Sequence, residues 1–159
     1  MTRSFTVRSL TELAALAAMV ARILDDPLRI YFSGHIGAGK TTFIAQILKA
    51  RGYGGVVKSP TFTFIESYPL SPLPVYHMDL YRLRQPEELE FLGARDYLEG
   101  RGLCFVEWPE RGGRELPPPD VDVAINAVDD IRHIEMSSVS HQGEEVLTKL
   151  ELLIREGPA

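Results

Sequence analysis

Hydrophobic and polar positions divide the chain into short strands and amphipathic helices. Residues 4–8 alternate polar and apolar positions, the period of a half-buried strand. Ser9-Leu10-Thr11-Glu12 has the form of a capping box and predicts a helix start. Leu10, Leu13, Ala17, Val20 and Leu24 then recur at helical spacing, and Asp25-Asp26-Pro27 ends that helix. Residues 28–32 read as a buried strand, 33–39 as a glycine-rich loop, and 41–50 as a helix with Ile44, Ile47 and Leu48 on one side. Residues 56–68 are β-branched and aromatic but interrupted by Ser59-Pro60, which predicts two extended pieces around a turn. Prolines 69, 72 and 74 make the next stretch a loop. A strand over 75–78 ends at Asp79, a short helix is expected over 86–92, and a strand over 103–106 ends at Glu107. After a Gly- and Pro-rich loop at 111–120, residues 121–125 and 131–138 predict a hairpin turned near Asp129-Asp130. The last helix, over 143–155, carries Val146, Leu147, Leu150, Leu153 and Ile154 on one face. Strands and helices in this order predict an α/β fold.

At 159 residues the chain has the size of one domain, and 45% apolar with 25% charged residues is an ordinary globular mix. No apolar stretch approaches the ~20 residues of a membrane helix. The first ten residues lack the apolar run of a signal peptide, so the cytoplasm is the expected location and no membrane contact is expected. Cys104 is the only cysteine, which excludes an intrachain disulfide, and the four histidines show no zinc spacing with it. The net charge of -5 argues against strong direct binding to RNA phosphates.

Residues 34–41, Gly-His-Ile-Gly-Ala-Gly-Lys-Thr, match G-x-x-x-x-G-K-[ST] between a strand and a helix. Glycines let backbone N–H groups converge on phosphate oxygens, and the helix that follows points its dipole at the anion. Lys40 is expected to be a surface-facing cation that reaches the β- and γ-phosphates, and the Thr41 hydroxyl to serve Mg²⁺. His35 occupies an unconstrained position of the motif and reads as an exposed loop residue.

Such a site also needs a carboxylate near the metal at a strand end. Asp79 and Glu107 both qualify, and in a parallel sheet both would face the phosphate loop. Thr61 and Thr63, beside Pro60, read either as γ-phosphate sensors on a switch or as strand threonines. Trp108 reads as a packing residue or a partly exposed partner contact, Cys104 as core, and His77 as a core or loop histidine.

Four segments together resemble the TsaE family of bacterial ATPases. They are residues 34–42, 57–63 (Val-Lys-Ser-Pro-Thr-Phe-Thr), 76–83 (Tyr-His-Met-Asp-Leu-Tyr-Arg-Leu) and 106–110 (Val-Glu-Trp-Pro-Glu). The likeness continues through residues 86–93 and reaches residues 129–132; Met78 stands where the family usually has Phe. The resemblance implies a P-loop NTPase-like three-layer sandwich with a mostly parallel sheet and a C-terminal antiparallel hairpin. It implies one P-loop ATPase domain over 1–159. The implied activity is Mg²⁺-dependent ATP hydrolysis in support of the threonylcarbamoyladenosine modification of tRNA. The implied partners are the TsaD and TsaB proteins, with tRNA reached only through them. On this resemblance Gly37, Ala38, Gly39, Lys40, Thr41 and Thr42 bind the nucleotide. Thr41 and Glu107 serve Mg²⁺, Asp79 orients water or the switch, and Thr61 reads the γ-phosphate. Arg132 lies near the adenine, with Thr11 or its neighbours opposite.

Two other functions share the motif. A small P-loop kinase would use Arg82, Arg84, Arg111 and Arg114 as lid residues, and a nucleotide-dependent binding module would hold its ligand without turnover.

Overall fold

The computed structural model describes residues 1–157; the expected domain runs two residues further, to positions 158–159, which lie outside the described residues. In chain order the elements are β1 (Thr2–Val7), α1 (Leu10–Ile23), β2 (Arg29–Ser33), α2 (Lys40–Ala50), β3 (Ile65–Tyr68) and β4 (Val75–Asp79). They continue with α3 (Glu88–Phe91), α4 (Ala94–Leu98), β5 (Leu103–Glu107), β6 (Val121–Val128), β7 (Ile131–Ser138) and α5 (His141–Glu156). Among the described residues no helix is long and apolar enough to cross a membrane.

Among the described residues the strands form one seven-stranded sheet in the order β1-β7-β6-β2-β5-β4-β3. The sheet is mixed, which corrects the mostly parallel sheet expected. The central pairings β6–β2, β2–β5 and β5–β4 are parallel, while β1–β7, β7–β6 and β4–β3 are antiparallel. Short connections account for the last two of these antiparallel pairs. The turn at Asp129-Asp130 and the proline loop after Tyr68 are too short for a crossover, so the strands they join lie antiparallel.

Alternation along β5 shows that both sheet faces are covered. Leu103 and Phe105 belong to a core shared with α1, α2 and α5, whereas Cys104 and Val106 pack with Leu89, Ala94 and Leu98 of α3 and α4. Ser9 caps α1 by accepting the Glu12 N–H at 3.1 Å, and the Glu12 carboxylate reaches the Arg8 N–H at 2.7 Å rather than that of Ser9. Such a cap contributes ~1 kcal/mol. At the far end of α1, the Arg51 guanidinium donates to the Ala21 and Leu24 carbonyls.

Several expected boundaries and faces differ. Residues 56–64 are not a strand: Thr61 N–H bonds to Ser59 O, Phe64 N–H to Pro60 O, and Phe64 takes a positive φ of 63°. Local turn bonds there override β propensity, which is strongly context-dependent. Helix α4 was not expected; Gly93, in the left-handed conformation, separates it from α3. Leu10 is 59% exposed and Ile154 42%, so neither joins the core their spacing suggested, and Leu16 and Ile23 are buried instead.

Gly143 joins α5 to the sheet at very close range. A Cβ there would lie 1.8 Å from the Asp120 carbonyl oxygen. Asp120 in turn accepts from Arg29 N–H (2.8 Å) and from the Ser140 hydroxyl (2.7 Å) that caps α5. Gly143→Ala is therefore expected to destabilise the protein by about 1–3 kcal/mol through overpacking, although alanine favours helix by ~1 kcal/mol. Urea unfolding midpoints check this, and a variant as stable as the parent would show that α5 can move off β6 freely.

Candidate functional site

The glycine-rich loop leaves β2 at Ser33 and enters α2 at Lys40. Gly39 precedes the helix at φ +108°, and among the described residues no side chain caps the helix. The first N–H groups of α2 are thus open to an external acceptor. At Gly37, φ is +79° and none of the described residues lies within 4 Å of where a Cβ would stand.

Lys40 is not the surface-facing cation expected. It is 5% exposed, and its ammonium folds back on the loop, donating to Gly34 O (2.5 Å) and His35 O (3.0 Å). The Nζ also stands 4.2 Å from the centroid of the Trp108 ring. Burial pushes the Lys40 pKa down, and the nearby carboxylates of Glu107, Glu110 and Asp79 oppose that shift. The ammonium satisfies its protons on the nearest carbonyls, as a buried cation requires.

Asp79 and Glu107 stand side by side, paired in register at the ends of β4 and β5. Their partners differ. Both Glu107 carboxylate oxygens accept from the Thr41 hydroxyl, at 2.8 and 2.9 Å, and Oε2 lies 2.6 Å from His77 Nε2. Asp79 instead accepts from the Ser59 hydroxyl and, at 2.9 Å, from the Tyr81 N–H. Its own N–H donates to Phe64 O at 3.0 Å. Asp79 thereby ties down the turn that carries Thr61, and Glu107 ties β5 to the first turn of α2.

One hollow gathers Gly37, Gly39, Lys40, Thr41, Thr42, Thr61, Asp79, Glu107 and Arg132. A second adjoins it across Gly39, Thr42 and Arg132, and is walled by Ser9, Leu10, Leu13, Ala38, Asp130 and Ile134. Ala38 is fully buried beneath this wall. Thr11 is exposed and lies outside both linings, and its neighbours Ser9 and Leu10 take that position. The outward position of Leu10 has the same origin, since it faces the second hollow. Cys104 sits on the opposite sheet face, its thiol pushed up to about 12 by burial, and takes no part.

His77 is a core histidine, one of the two readings its sequence allows, but its contact with Glu107 and that of Ser59 with Asp79 were not expected. Strand period offered a signal for the first: in β4, His77 and Asp79 share a face, the one on which α2 packs. Nothing in the spacing marked Ser59, whose contact with Asp79 depends on the turn at 59–64. Among the described residues no group of three or more His, Cys, Asp or Glu could hold a metal. The oxygens of Thr41 and Glu107 suit Mg²⁺, a hard cation that takes few protein ligands and completes its shell with phosphate and water.

Comparison with known proteins agrees with these segments. Residues 7–134 match the family described as threonylcarbamoyl adenosine biosynthesis protein TsaE. The tRNA threonylcarbamoyladenosine biosynthesis protein TsaE of Haemophilus influenzae is 43% identical over 124 residues, 78% of each chain. The protein of that name from Bacillus subtilis is 36% identical over 140 residues, 87% of each chain. The crystal structure of Bacillus subtilis YdiB superposes with a TM-score of 0.81 at 30% identity, covering 96% of this chain and 95% of that one.

Proposed function

The chain belongs to the TsaE family of tRNA threonylcarbamoyladenosine biosynthesis, and from that premise we propose that it is a Mg²⁺-dependent P-loop ATPase acting on the TsaD–TsaB pair in the cytoplasm. The observation that carries this reading is the convergence of an uncapped helix N-terminus, a buried lysine and a Thr–Glu oxygen pair in one hollow.

Each residue then has a physical task. The amides of the loop and the first turn of α2 hold phosphate oxygens. Lys40 exchanges its loop carbonyls for phosphate, an anion that better repays its desolvation. Thr41 and Glu107 hold Mg²⁺, which when bound neutralises charge on the phosphates. Asp79 holds the Ser59 turn, so Thr61 is placed to respond to a γ-phosphate. The second hollow, between α1 and β7, takes the base, with Arg132 at the junction.

The partner supplies the discriminating test. With the purified TsaD–TsaB pair, the protein is expected to associate with different affinities in ATP and in ADP, because a ligand shifts a conformational equilibrium only by its differential affinity. Thr61→Ala is expected to shrink that difference by roughly fivefold, the worth of one hydrogen bond of ~1 kcal/mol. Binding to tRNA alone should be weak at net charge -5. No association in any nucleotide state would remove the partner from the proposal. Release of a phosphorylated acceptor instead of free phosphate would favour a kinase.

A further inference from the structure

We propose that His77 is a positioning residue for the Glu107 carboxylate, setting the orientation in which Glu107 and Thr41 present their oxygens to a divalent cation. The inference rests on the proposed function for the cation, and on the geometry alone for the hydrogen bond.

His77 is completely buried on β4, with Phe105 of β5 and Glu66 of β3 as its register neighbours. Its Nε2 lies 2.6 Å from Glu107 Oε2. Thr41 offers one hydroxyl proton, and both Glu107 oxygens lie within reach of it at 2.8 and 2.9 Å. One shared proton leaves the carboxylate free to swing about it. A second donor from the sheet side removes that freedom and leaves the remaining lone pairs facing the hollow.

The other ring nitrogen decides the tautomer. His77 Nδ1 is buried and has no hydrogen-bond partner among the described residues. A proton there would be an orphan donor, whereas an ionised carboxylate can only accept, so the proton belongs on Nε2 and points at Glu107. A histidine kept only for packing would gain nothing from leaving one nitrogen unpaired in the core. Here the other nitrogen is spent on the acid that meets Thr41. Partners behind a metal-binding group typically change metal affinity 10–100-fold when removed.

The test uses the full chain loaded with ADP and titrated with Mg²⁺ by calorimetry, alongside ADP binding without metal and thermal unfolding. In ¹⁵N NMR of the ligand-free protein, His77 should carry its proton on Nε2. His77→Leu should weaken Mg²⁺ binding by about 10-fold or more with metal-free ADP affinity unchanged. His77→Gln, which keeps an N–H donor near the Nε2 position, should recover most of that loss. Wild-type Mg²⁺ affinity in folded His77→Leu would overturn the inference alone, and so would a folded His77→Gln no better than His77→Leu. A proton found on Nδ1 would overturn it even if the leucine variant failed to fold. Absence of any Mg²⁺ dependence in the wild type would overturn the proposed function and this inference with it.

Discussion

Replacing Lys40 with alanine is expected to reduce ATP hydrolysis by roughly 10²–10³-fold, the usual cost of losing one preorganised donor to developing charge. The fold should survive. Lys40 opens α2, but the packing of that helix comes from Phe43, Ile44, Ile47 and Leu48, which the substitution leaves in place. What is lost in the free protein is a pair of bonds to the Gly34 and His35 carbonyls, and the contact with Trp108. Together these are worth about 1–3 kcal/mol. A modest fall in melting temperature should therefore accompany a near-complete loss of turnover. Phosphate release, nucleotide titration and thermal unfolding measured on the same preparation separate the two. Normal turnover by a well-folded Lys40→Ala protein would sink the assignment of the loop to phosphate.

Glu107→Ala is expected to leave metal-free nucleotide binding largely unchanged while raising the Mg²⁺ requirement at least about tenfold, or stopping turnover. Thr41→Ala should share this phenotype, because the two side chains meet at 2.8 Å. The alanine at 107 also strands the Thr41 hydroxyl and His77 Nε2, so Glu107→Gln, which keeps the volume, is the cleaner variant for stability. Asp79→Asn should behave differently. Its oxygens hold Ser59 and the Tyr81 N–H, so its loss should loosen the turn at 59–64 and alter nucleotide discrimination before metal affinity. Titrations showing wild-type metal dependence in Glu107→Ala but not in Asp79→Asn would reverse the two roles.

Much of this arrangement was legible in the chain because it depends on local pattern. The loop at 34–41 announces itself by spacing, and strand ends at Asp79 and Glu107 follow from short apolar runs closed by an acid. The helices over Leu10–Ile23 and His141–Glu156 follow from their period, to within a few residues. What stayed hidden depends on tertiary partners. Residues 56–64 have strand-like composition, yet Pro60 and the bond from Ser59 to Asp79 bend them into a turn. The burial of Lys40 depends on the Gly34 and His35 carbonyls that its ammonium meets, which no spacing rule states. The antiparallel hairpin of β6 and β7 was legible, but the β1–β7 pairing was not, because β1 carries no mark of its distant partner. His77 was visible as one of two polar residues on one strand face, but its importance needed the neighbouring strand to be known.

The pairing of β1 with β7 has a consequence for how the molecule comes together. Thr2 pairs with Ser137 and Val7 with Arg132, so β1 has its neighbour in a strand far along the sequence. Closing so long a loop costs entropy that local elements do not incur, and contacts of this range slow folding. Of the strands paired in parallel, β2, β4 and β5 need no residue beyond Glu107, and β6 follows later. The hollow between Ser9, Leu10 and Arg132 exists only after β1 has docked. A ligand held in that hollow recognises the sheet with β1 docked, and by mass action its supply would stabilise molecules in which β1 has paired over those in which it has not.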